Sequence, residues 1–269
     1  MFYTLIFSIL ERTYCAIIAG ASKSSFGKLK TVEVLTEHPI KKHVPNFPPG
    51  IGWSVIFLHH GNILLCGRVG EQQKCYQLDH GKWKDHSTLN SIKMAYSVAT
   101  TQTATFIFGR GFFPSLTYEY LEKESTTWQM GKTEIPGGFF EGRAISVRSK
   151  KEIWLIGGIS TYKRILSFNV KDHSFRELFS RLNLRRKNHG CAFIPNTKKV
   201  MITGGFDDKD KCLHSTEILD TENESVLMAS PLNSKRGNHG MGIVTINGED
   251  RLAVFGGIND KTYLDSVDC

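Results

Sequence analysis

Apolar runs that end in glycine recur along the chain. They are Cys15–Gly20 (CAIIAG), Ile63–Gly67 (ILLCG), Thr105–Gly109 (TFIFG), Ile153–Gly158 (IWLIGG), Val200–Gly205 (VMITGG) and Leu252–Gly257 (LAVFGG). Successive first glycines (Gly20, Gly67, Gly109, Gly157, Gly204 and Gly256) lie 42 to 52 residues apart. A near-constant period of this size marks a repeat architecture. An apolar strand precedes each run in phase: Ser54–Leu58, Ala95–Ala99, Ala144–Val147, Cys191–Ile194 and Met241–Thr245. Under the same alignment Tyr3–Phe7 is the first such strand. The opening MFYTLIFSIL therefore reads as a strand rather than a signal peptide, since Arg12 follows the apolar run instead of preceding it.

A polar loop and a third strand follow each run. Thr31–Leu35, Cys75–Leu78, Thr117–Tyr120, Leu166–Val170 and Ser215–Leu219 are rich in aromatic and branched residues, as half-buried strands are. A fourth element carries Trp83, Trp128 and Phe175, with Val226 in that place one unit later. Each unit is thus predicted to hold four short antiparallel strands. The second strand, apolar throughout, is predicted to be buried on both faces between neighbouring sheets. The glycines Gly20, Gly67, Gly109, Gly157, Gly158, Gly204, Gly205, Gly256 and Gly257 are predicted to turn the chain where positive φ is needed. No segment has a sustained helical period. Arg176–Lys187 (RELFSRLNLRRK) reads as a fourth strand plus loop rather than a basic helix.

Paired glycines after an apolar strand, then a Val-Glu-Val-like strand, then a tryptophan, resemble Kelch repeats. Arg186-Lys-Asn-His-Gly190 and Arg236-Gly-Asn-His-Gly240 resemble the Arg-x-x-His-Gly segment that opens many Kelch units. Ser215-Thr-Glu-Ile-Leu-Asp-Thr-Glu-Asn223 resembles the family's strand-and-turn signature. The first three units depart from the pattern, with Gly20-Ala21, Gly67-Arg68 and Gly109-Arg110 in place of a glycine pair. The resemblance implies an all-β fold, a single Kelch-type β-propeller over residues 1–269. It implies six blades, near 2–48, 49–90, 91–137, 138–185, 186–235 and 236–269, the last incomplete.

Chemistry enters the picture mainly by its absence. There is no His-Glu-x-x-His, phosphate loop or Gly-x-Ser-x-Gly elbow. No cofactor or metal is expected. The six cysteines include no Cys-x-x-Cys pair, and Cys66 and Cys75 flank a predicted hairpin loop. Buried reduced thiols fit better than a disulfide there, and a cytoplasmic chain better than a secreted one. No run of 18 apolar residues indicates a membrane span.

Charge changes the reading more. The chain has 34 Lys plus Arg against 26 Asp plus Glu, a net charge of +8. Loops before the first strand and after the second lie at one end of each unit. Sorted this way, that end holds roughly 24 bases and about 10 acids, and the opposite end is near neutral. Lys41, Lys42, Arg110, Arg164, Arg185, Arg186, Lys209, Arg236 and Lys261 fall on the basic end. His189 and His239 occupy equivalent places in adjacent units. A metal shared between them is geometrically poor, because packed sheets sit about 10 Å apart. They are read as bonded to loop backbone.

The candidate partner-binding set is Arg110, Arg164, Arg185, Arg186, His189, Lys209, Arg236 and His239. The function expected is a non-catalytic interaction scaffold that binds an acidic protein. The resemblance implies a role as the substrate receptor of a ubiquitin ligase. The rival is an enzyme or carbohydrate binder using the channel mouth, akin to galactose oxidase or a sugar mutarotase. Nucleic acid is not the expected partner, because no groove interleaves aromatic and basic residues.

Overall fold

The computed structural model describes residues 16–21, 29–35, 48, 51–70, 72–91, 97–110, 113–260 and 262–268. The expected Tyr3–Phe7 strand, together with Cys15, Lys41, Lys42, Lys261 and Cys269, lies outside the described residues.

Strands dominate. β1 (Ala16–Ala21) and β2 (Leu29–Leu35) pair as a two-stranded sheet. Four antiparallel sheets of four strands follow, each a meander in chain order. The first holds β3 (Gly52–His59), β4 (Asn62–Val69), β5 (Gln72–Asp79) and β6 (Lys82–Thr88). The second holds β7 (Ser97–Thr100), β8 (Ala104–Arg110), β9 (Phe113–Glu122) and β10 (Gln129–Met130). The third holds β11 (Arg143–Val147), β12 (Glu152–Ile156), β13 (Ile165–Asn169) and β14 (Phe175–Glu177). The fourth holds β15 (Gly190–Phe193), β16 (Lys199–Thr203), β17 (Thr216–Asp220) and β18 (Val226–Ala229).

The last sheet joins β19 (Gly240–Ile246), β20 (Glu249–Phe255) and β23 (Val267–Asp268), with a small hairpin of β21 (Ile258–Asn259) and β22 (Thr262–Tyr263) between β20 and β23. Among the described residues the only helical segment is a 3-10 turn at Arg148–Lys150, and no helix is long and apolar enough to cross a membrane. The strand predictions hold in phase, including β14 at the start of Arg176–Lys187, which carries no helix.

Consecutive sheets meet along their first strands: β3 lies by β7, β7 by β11, β11 by β15 and β15 by β19. Side chains tie these strands together. Thr100 Oγ1 donates to the Leu58 carbonyl at 2.6 Å, and the Ala144 amide donates to Ser97 Oγ at 2.7 Å.

Packing between sheets follows from the period of two along each second strand. In β8, Phe106 and Phe108 face the third sheet and join Ile153, Leu155 and Phe168. Ile107, between them, faces the first sheet with Val55, Phe57 and Leu64. Trp154 and Ile156 of β12 face the fourth sheet with Val200, Ile202 and Leu219. Each large side chain buried this way contributes about 1.5–3 kcal/mol. The aromatic of the fourth element closes these layers: Phe175 packs on Phe168 with ring centroids 4.9 Å apart.

Two expectations are corrected. Gly67 turns nothing; it lies inside β4 opposite Lys74, in regular pairing. Cys66 and Cys75 are joined as a disulfide, not kept as thiols. They are direct partners across β4 and β5, so the register of the hairpin brings the two sulfurs together. Cys191 and Cys212 are free.

Candidate functional site

The loop end of the molecule is organised by a joint that recurs between units. The Arg186 carbonyl accepts from the Gly158 amide of the preceding unit at 2.9 Å. The Arg186 guanidinium turns back into its own unit and donates through Nη1 to the Gly204 carbonyl at 2.6 Å. Arg236 repeats both contacts: its carbonyl accepts from the Gly205 amide at 2.8 Å, and its Nη1 donates to the Gly256 carbonyl at 2.9 Å. Ser215 and Ser266 match as well, each accepting from Nη2 of its arginine at 3.1 Å. The glycine pair is what lets the two units approach. Gly204 has φ +55°, and a Cβ there would stand 2.4 Å from the Arg236 carbonyl oxygen.

A carboxylate completes the joint. Arg186 and Glu217 are both fully buried, with Nη2 2.7 Å from Oε1. Glu217 also accepts from the Asn183 amide at 2.6 Å and the Leu184 amide at 3.2 Å. Glu119 plays the same part at its place in the repeat, accepting from the Asn90 amide at 2.8 Å and the Ser91 amide at 3.0 Å. Each glutamate thus fixes the loop that leads into its own unit. Sequence reasoning missed these acids as functional parts of the fold. The signal was available in register: Glu33, Glu119, Glu217 and Asp268 all stand opposite the residue two before the first glycine.

The two histidines are also internal. His239 pairs through Nε2 with Thr203 Oγ1 at 2.9 Å. His189 is fully buried, and neither ring nitrogen has a hydrogen-bond partner among the described residues. They pack edge-on against glycines of the joint, His189 against Gly157 and His239 against Gly204. The expected bond from the imidazole to loop backbone gives way to packing for His189, whereas His239 interacts with the Arg236 backbone as well as with the threonine hydroxyl. Burial, with the charges of Arg143, Arg236 and Arg186, lowers the His239 pKa to about 3. Burial, Arg186 and Arg143 hold His189 well below the usual 6.5.

These shifts predict an acid-labile fold. Above about pH 6.5 both states hold neutral histidines and the folded state loses nothing. Below that the unfolded chain takes up protons that the folded chain refuses, so stability falls as pH drops toward the folded pKa. The limiting slope is about 1.4 kcal/mol per pH unit for each histidine. Urea midpoints should therefore fall from about pH 7 to about pH 5, and His239→Gln should flatten the fall. A midpoint constant over that range would contradict it.

Of the sequence-predicted residues, Arg186, His189, Arg236 and His239 are thus inside the protein, where a partner docking on the loops does not meet them. Their side chains face inward because the joint requires it. The others remain at the loop end. Arg110 ends β8. Arg164 bonds Glu177 at 2.8 Å and reaches the Pro136 carbonyl at 3.3 Å. Arg185 is exposed, bonded to Asp208 at 3.0 Å and stacked over Tyr162 at 5.8 Å. Lys209 is exposed and has no ion-pair partner among the described residues, as do Lys211 and Lys235.

Nearer the first strands, the Asn188 amide bonds the Glu141 carbonyl at 2.7 Å, and the Asn238 amide bonds the Asn188 carbonyl at 2.9 Å. All three residues sit at positive φ, so one backbone turn is repeated unit after unit. Lys187 lies in this row, 2.6 Å from Asp210 and 3.7 Å from the buried Glu141. Burial raises the Glu141 pKa against the opposing pull of Lys187. No group of three or more His, Cys, Asp or Glu among the described residues is arranged to hold a metal ion.

No protein-family model matches the chain. Over 136 residues it is 27% identical to a Kelch repeat-containing protein of Dictyostelium discoideum. That stretch covers 49% of this chain and 20% of the Dictyostelium protein, so the chain spans about a fifth of the relative it matches. About half of the chain is therefore similar, weakly, to a Kelch-repeat protein.

Proposed function

We propose that the sheets are the blades of a Kelch-type β-propeller with six units. In this reading the chain is a non-catalytic interaction module whose loop face binds an acidic protein partner. The name of the Dictyostelium protein supports the repeat assignment. One observation carries the binding assignment: Lys209, Lys211 and Lys235 project from loops at one end without ion-pair partners among the described residues, above the buried Arg186 and Arg236 joints. Fixed loops bearing exposed cations favour encounter with carboxylates. In a longer protein the same face would act as the substrate receptor of a ubiquitin ligase.

The test leaves Arg186 and Arg236 alone, because changing them attacks the fold. The triple variant Lys209→Glu, Lys211→Glu, Lys235→Glu should weaken binding of a labelled oligoglutamate peptide by at least about tenfold in fluorescence anisotropy. The matched variant Lys151→Glu, Lys171→Glu, Lys198→Glu alters loops at the opposite end and should bind as wild type. Equal losses in the two variants would reject the face.

A further inference from the structure

The loop from β14 into the fourth sheet turns one large apolar side chain outward. Phe179 is 99% exposed. Its neighbours Leu178 and Leu182 are buried in the core between the third and fourth sheets. The backbone is pinned along the same stretch. The Leu178 amide bonds the Ile165 carbonyl and the Leu182 amide bonds the Lys163 carbonyl, each at 2.9 Å. The next two amides, of Asn183 and Leu184, are held by Glu217. Phe179 cannot fold inward without drawing Leu178 or Leu182 out of the core. Its exposure is a property of an ordered loop.

The charges on the flanking segments are positive in sum. Arg164 and Arg181 share the single carboxylate of Glu177, each at 2.8 Å. Lys163, whose carbonyl holds the loop, has no ion-pair partner among the described residues. Large aromatic side chains held rigidly at a surface are the residues that dominate interfaces, and a charged rim selects the partner's sign.

We propose that Phe179 is the apolar anchor of this face, seated among aliphatic side chains of an acidic, amphipathic segment of a partner protein. The proposal rests on the partner-binding reading of the face and adds the apolar half of the partner's chemistry.

Two labelled peptides of equal length and equal glutamate content test it, one spaced with serine and the other with leucine. Wild-type chain should bind the leucine peptide about tenfold tighter by anisotropy. Phe179→Ser should abolish that preference, leave the serine peptide's affinity unchanged and leave the urea midpoint unchanged. A preference that survives in Phe179→Ser overturns the anchor. Equal affinity of wild type for both peptides overturns the anchor and leaves the acidic-partner reading standing. Failure to bind either peptide removes both. Self-association of wild type that is lost in Phe179→Ser would assign the side chain to a second copy and also overturn the proposal.

Discussion

Arg186→Met is expected to destabilise the protein by about 3–5 kcal/mol, against a typical total of about 5–15 kcal/mol for a globular domain. Arg186 is at 0% exposure and bonds Glu217, the Gly204 carbonyl and Ser215. Removing it leaves a carboxylate with no solvent and no cation, and a carbonyl that has lost its donor. The uncompensated charge is the larger part of the loss. Arg186→Lys should recover little, because one ammonium cannot reach the positions that a planar fork spans. Arg186→Met combined with Glu217→Leu should recover part, since the buried charge is gone while the Asn183 and Leu184 amides still lack an acceptor. Urea unfolding of wild type, Arg186→Met, Glu217→Leu and the double variant measures this as a double-mutant cycle. A loss under about 1 kcal/mol for Arg186→Met would show that the pair is not the joint described here.

Gly204→Ala is expected to cost about 3 kcal/mol or more. Two effects combine. At φ +55° an L-residue is strained, by about 1–2 kcal/mol. The added Cβ would also stand 2.4 Å from the Arg236 carbonyl oxygen and 2.9 Å from His239 Cε1. That oxygen cannot retreat without breaking its bond to the Gly205 amide. Gly61→Ala separates the two effects. It has φ +88° and open space around the new methyl, so only the conformational part should appear. If both variants lose the same stability, the close approach at Gly204 carries no energy.

The strand order was legible because each second strand must be apolar on both faces, and that pattern needs no tertiary information. Runs such as Ile153–Ile156 show it directly, and all four residues are buried. Gly157, Gly204 and Gly256 were legible for the same reason, since a recurring glycine after a buried strand has few explanations besides backbone geometry. The candidate site was read less well. Sorting charges by loop end treated Arg186 and Arg236 as surface loop residues and could not see that their side chains point inward. Position within the repeat would have shown it: an arginine and an acid that recur together at fixed places, as Arg186 with Glu217 and Arg236 with Asp268 do, belong to the frame. Phe179 gave no signal, because one phenylalanine in RELFSRLNLRRK looks like any other. Only the burial of Leu178 and Leu182 on either side makes its exposure informative. The Cys66–Cys75 bond was hidden by register, which composition does not report.

The joint also has a direction. The Arg186 carbonyl secures the glycine pair of the unit before it, whereas its guanidinium secures the pair of its own unit. Arg236 does the same one unit later. At these two joints order is therefore handed backwards along the sequence, the third and fourth sheets each receiving an anchor from the unit that follows. A lesion at Arg236 loosens Gly205 upstream as well as Gly256 in its own unit. Harm at these joints therefore reaches back toward the N-terminus, into a unit already synthesised, as well as into the unit that carries the lesion.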